Sequence, residues 1–442
     1  MAGVHGPTAF SRVEPNFQAR LLAGGLSEAA AARHARRLAR LDEAFAGWSG
    51  RPPLRAFFVP GRVELLGKHT DYAGGRSLLC ALERGVCVLA APRDDGRVRF
   101  LNADSQVAAA LDRPAAKLPG WAPYPLAVLR RLQRDFGLGG GADVAFASDL
   151  PAAAGMSSSS ALVVASYLGI TAGQVPAAAP ASREALAGYL AAAETGVGTH
   201  GGSEDHVAIL CCRVRQWSRY SFCPTAFEGV IPAPPDHALV IAVSGVVADK
   251  GGGAQARYNR AAAAAQAVLA AWNAAEGSPA PTLAAALAGD AGRLAEAQVR
   301  LRRFVPEGYT RAELDARLRQ FWLESEVLLP AAARAAAAGD WRAFGGAVAA
   351  SQAEADAGLG NQVPETRALV AGALQLGAVA ASAFGAGFGG SVWALAPAAG
   401  ADAFAAAWQR DYGKAFAERR AASLCFVSAA GPAALELDFI GS

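Results

Sequence analysis

The stretch Pro60-Gly61-Arg62-Val63-Glu64-Leu65-Leu66-Gly67-Lys68-His69-Thr70-Asp71-Tyr72, followed by Gly74-Gly75, decides the fold of this chain. Five ionisable residues fall within the ten positions 62–71, around glycines and directly after the strand-like run 56–59. Alternation along a strand that starts at Arg62 places Arg62, Glu64 and Leu66 on one side. Taken alone, the stretch fits a polar β-hairpin as well as it fits a functional loop.

A second stretch, residues 150–161, combines a proline and a glycine with four consecutive serines, Ser157 to Ser160. It runs directly into the apolar segment 161–170, so we predict a loop that opens a helix. Free N–H groups and the positive dipole end of such a helix bind phosphate. The stretch lacks the lysine of a Walker A loop and is not that motif. The alternative is that one serine is an ordinary helix N-cap. Four serines in a row favour the phosphate-binding loop over this alternative.

A third stretch, residues 384–391, reads Phe-Gly-Ala-Gly-Phe-Gly-Gly-Ser. Gly385, Gly387 and Gly390 match the G-x-G-x-x-G spacing of dinucleotide-binding folds. That fold requires a helix after the glycines, whereas a strand-like run follows here and stops at Pro397. We therefore reject the dinucleotide site and predict a tight backbone turn.

A fourth feature is a glycine-rich loop between two acids, Glu194 and Asp205, which are 11 residues apart. Such a loop lets both carboxylates converge on a cation or a substrate. The alternative is a surface loop with incidental acids.

The composition restricts the class of protein. The chain has 442 residues, 53% of them hydrophobic and 18% charged, with a formal net charge of +3. This excludes a disordered chain and gives no electrostatic reason to expect nucleic acid or an anionic membrane as partner.

Six cysteines without a C-x-x-C pattern indicate a reducing compartment. Residues 1–12 lack the pattern of a secretory signal, and no apolar run approaches the ~20 residues of a membrane span. We therefore expect a cytoplasmic protein.

The pattern of elements is mixed α and β. We predict helices at 27–45, opened by Ser27, and at 182–194, with Ser182 as candidate N-cap, and strands at 238–247, 391–396 and 423–427. Residues 76–91 read as two short apolar runs. Later helices are expected at 256–276, 282–303, 311–338 and 340–358. The proline-rich segment 226–236 is the best boundary, which gives a helical extension at 1–50, a first lobe at 51–230 and a second lobe at 236–442.

Together the glycine and serine stretches resemble the GHMP small-molecule kinases, and among them the galactokinase branch. The first motif of that family is P-G-R-V-N-L-I-G-E-H-T-D-Y-N-G-G, and this chain differs from it at Glu64, Leu66, Lys68 and Ala73. The serine stretch is similar to P-x-G-x-G-L-S-S-S-A. The string G-A-G-F-G-G is matched letter for letter from Gly385. The resemblance runs in the family's order from about Arg55 to the C-terminus.

The resemblance implies an α+β, two-lobed GHMP kinase fold, with an N-terminal ribosomal-S5-like lobe and a C-terminal ferredoxin-like α/β sandwich lobe. It implies an ATP-dependent phosphotransferase that acts on a hydroxyl, the anomeric one, of galactose or a related sugar. ATP and Mg²⁺ are the implied cofactors and a small sugar is the implied partner, without nucleic acid or membrane. The oligomeric state stays open, with a monomer expected.

The resemblance also implies roles for single residues. Asp205 and Arg62 would be catalytic, and Ser159 and Glu194 would hold Mg²⁺. The other implied contacts are with ATP, from Gly155, Met156, Ser157, Ser158, Ser159, Ser160, Gly387 and Gly389, and with the sugar, from Lys68, His69, Asp71, Gly202 and Tyr258.

Lys68 is the departure with most consequence, because the family has glutamate there, at the far end of the sugar. A cation at that point would favour a uronic acid or another charged sugar. The alternative is that Lys68 pairs with Glu64, four residues earlier. A non-catalytic sugar sensor on the same fold is a further alternative, disfavoured because Arg62, Ser159, Glu194 and Asp205 are all present. A mevalonate or homoserine kinase is disfavoured by the string from His69 to Tyr72.

Overall fold

The computed structural model of the chain describes residues 10–112, 117–151, 154–173, 175–198, 201–247, 253–274, 279–289 and 291–437. Within these ranges no helix has the length and apolarity needed to cross a bilayer. The helices are α1 (Phe10–Ala23), α2 (Glu28–Ser49), α3 (Pro123–Phe136), α4 (Ser158–Ile170), α5 (Arg183–Glu194), α6 (Glu204–Cys211), α7 (Gly253–Asn273), α8 (Leu283–Leu287), α9 (Ala291–Arg303), α10 (Arg311–Trp322), α11 (Leu329–Ala337), α12 (Trp341–Glu354), α13 (Pro364–Gln375) and α14 (Ala401–Ala415). The strands are β1 (Arg55–Leu66), β2 (Arg76–Arg93), β3 (Val98–Asn102), β4 (Val107–Ala110), β5 (Gly141–Ser148), β6 (Gln216–Ser221), β7 (Ala226–Pro232), β8 (His237–Val243), β9 (Ala380–Phe384), β10 (Ser391–Pro397), β11 (Leu424–Ser428) and β12 (Leu435–Leu437).

The first sheet has the strand order β12-β1-β2-β5-β3-β4, with β6 paired to β2 and β7 paired to β6. β3 and β5 run parallel, and the remaining pairs are antiparallel. The two apolar runs expected at 76–91 form one long strand, β2. Its central residues are buried on both faces of the sheet, so the hydrophobic pattern there is continuous.

Helices cover both faces of this sheet. Val86 and Val88 of β2 belong to the core that includes α4, whereas Cys87 and Leu89 pack with Phe45 of α2. α2 begins as predicted, because the Ser27 hydroxyl accepts a hydrogen bond from the backbone N–H of Ala30, in the first turn of the helix. The helical extension expected at 1–50 therefore closes the back of the sheet, and its first nine residues lie outside the described part of the chain.

The second sheet is antiparallel, in the order β11-β8-β10-β9. On one face, Val240 and Val392 pack against Trp408 of α14. On the other face, Ile241 and Trp393 join the main core, which is continuous with the first sheet. The chain passes from one sheet to the other between β7 and β8, inside the expected boundary segment, and β12 then returns to the first sheet.

A helical group formed by α7 to α10 packs around its own apolar cluster, which includes Ala73 of the first motif. The helix expected at 282–303 is divided into α8 and α9, next to Gly289 with its positive φ of 126°. The helix expected at 311–338 contains a π-helical stretch, Leu323–Leu328, between α10 and α11. The helix expected at 340–358 likewise ends in a π-helical stretch, Ala355–Leu359. Such stretches often mark functional sites, and the first one carries Glu324 towards the motif that follows β1.

Candidate active site

A cavity of about 690 Å³ opens where β1, the start of α4, the start of α6 and the glycine turn after β9 meet. It is lined by most of the residues that the sequence singled out. They are Arg62, His69, Asp71, Gly155, Ser157, Ser158, Ser159, Ser160, Glu194, Gly202, Asp205, Tyr258, Gly387 and Gly389.

Arg62 and Asp205, 143 residues apart in the chain, form an ion pair in this cavity. Arg62 Nε donates to Asp205 Oδ1 at 2.8 Å, and Nη2 lies 2.6 Å from the same oxygen. Arg62 Nη1 also donates to the Gly155 carbonyl, which joins the pair to the serine turn. Burial disfavours the charged guanidinium, but the carboxylates of Asp205, Glu204 and Glu64 outweigh it and raise the pKa of Arg62. Arg62 is therefore a fixed cation beside a partly exposed carboxylate.

The serine turn ends in α4, as predicted. Ser157 precedes the helix with φ 56°, and Gly155 has φ 77°, a conformation that glycine adopts without strain. The hydroxyl of Ser157 is buried and has no hydrogen-bond partner in the described residues. The first-turn N–H groups of α4 have no acceptor within their own helix. This end of the cavity therefore offers hydrogen-bond donors suited to an anion.

The two acids of the glycine-rich loop converge on Ser160. The Ser160 hydroxyl lies 2.7 Å from Glu194 Oε2 and 3.3 Å from Asp205 Oδ2, and His206 Nε2 lies 3.2 Å from the same Glu194 oxygen. The sequence pointed to Ser159 as the serine beside Glu194. Ser159 lines the cavity, but Ser160 makes the described contact with both acids.

Asp71 is buried at the opposite side of the cavity. Its Oδ1 accepts from the Tyr72 N–H at 2.8 Å and its Oδ2 from the Glu204 N–H at 3.1 Å. Burial raises the pKa of Asp71 to about 6. A Cβ at Gly202 would lie 2.3 Å from Asp71 Oδ2, so only glycine fits there. The close approach of these two residues connects the first motif to α6.

His69 is held as a neutral ring. Its Nε2 lies 3.1 Å from the Ala386 carbonyl, and its Nδ1 lies 3.0 Å from the Tyr72 hydroxyl. A carbonyl only accepts, so Nε2 carries the proton and Nδ1 accepts from the tyrosine. Burial, followed by the charge of Arg317, lowers the pKa of His69 to about 4. The Tyr258 ring lies 5.1 Å from the imidazole, which completes an aromatic wall.

The glycine turn after β9 approaches β1 and the serine turn with bare backbone. Gly385 N donates to Glu64 Oε2 at 3.3 Å. A Cβ at Gly387 would lie 2.6 Å from Asn361, and one at Gly389 would lie 2.8 Å from a carbonyl oxygen. The turn is followed by strand β10, whereas a dinucleotide-binding fold has a helix at this point.

Lys68 does not line the cavity, contrary to its expected place beside the sugar. It is 1% exposed, and its ammonium donates to the Ser351 hydroxyl at 2.9 Å. The simpler expectation, a direct pair with Glu64, also fails. Lys68 acts on Glu64 by charge alone, because within the described residues the hydrogen bond of Glu64 comes from Gly385. The turn after β1 directs Lys68 away from the cavity and towards the helices.

Met156 is the other residue whose place differs. Its side chain is 1% exposed and packs in the main core, and its carbonyl accepts from the Arg62 N–H at 3.4 Å. An apolar side chain after Gly155 therefore anchors the serine turn, while the serines face the cavity.

The sequence analysis missed the apolar end of the cavity. Trp121, Tyr124, Phe146 and Leu162 line it, and the rings of Trp121 and Phe146 lie 5.2 Å apart. The aromatic pair Trp-x-x-Tyr at the start of α3 was the available signal. Glu64 and Glu204 also line the cavity, although the sequence indicated no role in the site for either.

Comparisons with known proteins agree with this arrangement. The galactokinase galactose-binding signature matches residues 43–92, the N-terminal domain of GHMP kinases matches 123–213, and the C-terminal domain of GHMP kinases matches 332–415. The galactokinase of Bacillus subtilis (strain 168) is 41% identical over 115 residues, which are 25% of this chain and 30% of that relative. The chain thus matches less than a third of that relative's length.

Solved structures show the same fold. Lactococcus lactis galactokinase, complexed with galactose, superposes with a TM-score of 0.76 at 22% identity, over 90% of this chain and 99% of that one. L. major mevalonate kinase, in complex with R-mevalonate, gives 0.53 at 14% identity, over 86% and 98%. The expected α+β GHMP kinase fold is confirmed. The galactose-binding signature, the two kinase domains and the galactokinase relative together show that the chain belongs to the GHMP kinase family, in its galactokinase branch.

Proposed function

We propose that the protein is an ATP-dependent sugar kinase that transfers the γ-phosphate of ATP to the anomeric hydroxyl of galactose. One observation carries this proposal: the Arg62–Asp205 pair lies in a single cavity between the serine turn and the motif that matches the galactose-binding signature. A cation and a carboxylate between a phosphate site and a sugar site are the groups that phosphoryl transfer needs.

The nucleotide would occupy the half of the cavity next to α4. Its phosphates would bind the backbone N–H groups and hydroxyls of Ser157 to Ser160, and the adenine would lie against Trp121 and Tyr124. The partly exposed Asp205 and the first-motif residues would face the other half.

Mg²⁺ fits the donors near Glu194. Oxygen ligands suit this cation, and Ser160 brings the carboxylates of Glu194 and Asp205 to one hydroxyl. Within the described residues no group of three or more histidine, cysteine, aspartate or glutamate side chains could hold a metal ion. The residues that would hold the ion are Glu194 and Ser159, which the family motif implies and which both line the cavity. When bound, Mg²⁺ would neutralise the phosphate charge.

Asp205 would orient the attacking hydroxyl and receive its proton. Arg62 keeps that carboxylate ionised, and its remaining charge would stabilise the negative charge that develops on the transferred group. The Gly155 carbonyl holds the guanidinium on the side of the serine turn. Positioning and fixed charge thus supply most of the catalysis.

The sugar would be held by Asp71, His69, Tyr258 and the backbone at Gly202. Asp71 uses one acceptor site on each oxygen for backbone N–H groups and retains others for hydroxyls. The neutral ring of His69 adds no charge that would select an anionic sugar. A cytoplasmic location is part of the proposal, because all six cysteines are free thiols.

The test is an ADP-release assay with Mg·ATP and galactose, glucose or galacturonate, in which the product is identified by ³¹P NMR. We expect ADP release with galactose and a phosphorus signal coupled to the anomeric proton. Galactose binding in calorimetry without any ADP release would contradict the kinase and leave a binding protein. Faster turnover of galacturonate than of galactose would contradict the proposed substrate.

A further inference from the structure

Glu64 is a buried carboxylate with an unused oxygen in the cavity wall. The residue is 2% exposed and lines the cavity, two positions after Arg62 on β1. Its Oε2 accepts from Gly385 N at 3.3 Å. Its Oε1 is buried and has no hydrogen-bond partner within the described residues. Buried polar atoms without a partner are rare in folded proteins, so each requires an explanation.

Burial raises the pKa of Glu64 to about 7, and the charges around it partly cancel. Lys68 and Arg62 attract the carboxylate, whereas Glu324 and Glu204 repel it. Lys68 is held by Ser351, and Arg62 is held by Asp205. Neither cation uses Glu64 as its hydrogen-bond acceptor, so the second oxygen is available to a ligand.

The position of Glu64 relative to Arg62 defines what it could reach. Alternate residues of a strand are about 6.6 Å apart along one face. If the reacting hydroxyl lies at Arg62 and Asp205, an acceptor at Glu64 lies about one sugar ring away from it along β1. A hydroxyl on the far side of the ring is the donor that such an oxygen would meet.

We propose that Glu64 is a specificity-determining residue whose Oε1 accepts a hydrogen bond from a sugar hydroxyl across the ring from the phosphorylated position. This inference rests on the proposed function and names one contact of the same site. It also specifies the substrate class. A carboxylate at that end of the sugar would meet the carboxylate of Glu64, and the ammonium of Lys68 is not in the cavity to receive it. Glu64 therefore selects neutral sugars and rejects uronic acids.

The experiment combines enzyme variants with substrate analogues. Glu64→Ala removes the acceptor, and Glu64→Gln keeps a neutral acceptor of the same size. Glu365→Gln is the matched control, since Glu365 is also buried, at 8% exposure, but pairs with Arg419 on the second lobe. Each protein is assayed for kcat/KM with galactose, each singly deoxygenated galactose and galacturonate. Calorimetry gives the dissociation constant of galactose, and thermal unfolding checks the fold.

For one deoxygenated sugar we expect the wild-type protein to lose about 10- to 100-fold in kcat/KM, because the carboxylate stays unpaired. Glu64→Ala should lose less than about threefold for the same change, since the two deletions remove one contact. Glu64→Gln should fall between them, and Glu365→Gln should behave as wild type.

Equal losses in wild type and Glu64→Ala for every deoxygenated sugar would overturn the inference while leaving the kinase intact. If no sugar is phosphorylated, the proposed function fails, and the inference is decided by binding alone. Weaker galactose binding by Glu64→Ala, but not by Glu365→Gln, supports it, and unchanged binding overturns it.

Discussion

The first motif places two cations, Arg62 and Lys68, against segments that are distant in the sequence. The two regions differ in the partner that each cation meets. Arg62 pairs with Asp205, whose side chain is 26% exposed to the cavity. Lys68, six residues later, is 1% exposed and donates to Ser351 on α12. Glu324 supports this second region by accepting from the N–H groups of Gly67 and Lys68 and from the Ser351 hydroxyl.

The difference shows that the residue type does not decide the role of a charge. Both cations are buried, but only Arg62 has a partner that can also reach a substrate. In the second region the partners come from α12 and the π-helical stretch, which close around the motif and fix its turn. One cation therefore belongs to the chemistry, and the other joins the motif to the helices.

The largest expected effect is in the first region. Asp205→Asn keeps the shape of the side chain but removes its charge and its ability to take a proton. We expect kcat to fall about 10³-fold, within the range for loss of a general base. The variant is measured by ADP release at saturating galactose and Mg·ATP, with circular dichroism to check the fold. Asp135→Asn on α3, at a surface ion pair, is the control and should keep full activity. Near-normal turnover by Asp205→Asn would remove the proposed role.

A smaller effect is expected when Asp71 is protonated. Its pKa is raised to about 6 by burial, so the carboxylate becomes neutral as the pH falls through that value. We expect kcat/KM for galactose to be about fourfold lower at pH 5.5 than on the plateau above, because the free enzyme loses an acceptor for sugar hydroxyls. Asp71→Asn should have low activity and lack this step. A profile that stays flat down to pH 5 would contradict the assignment of Asp71 to the sugar.

The smallest effect on turnover is expected in the second region. Lys68→Met removes the buried ammonium and leaves Glu64 without the positive charge that most favours its carboxylate. We expect kcat at saturating galactose to change by less than about threefold and the free energy of unfolding to fall by about 3 kcal/mol. Urea unfolding and the ADP assay measure the two quantities. Lys414→Met, at an exposed pair with Asp411, should change neither. A loss of turnover as large as that of Asp205→Asn, with unchanged stability, would show that the two regions share one role.

Local features of the fold were predictable because their causes are local. The start of α2 after Ser27, the helix after the serine turn and the strand after Gly390 each follow from neighbours in the sequence. The single long strand β2 was missed, because its continuous burial depends on α2 and α4 packing on opposite faces.

The sequence indicated which residues could take part in chemistry. The spacing of glycines, serines and charges predicted the phosphate turn and the two acids Glu194 and Asp205, and the resemblance to galactokinases implied the sugar motif and the role of Arg62. The direction in which each charge points depends on the tertiary fold. Lys68 and Glu64 are both charged and four residues apart, yet the lysine lies among helices and the glutamate lines the cavity. The reason is that burial and hydrogen-bond partners come from segments far along the chain, such as α12 and the turn at Gly385, whose positions depend on the packing of the whole molecule.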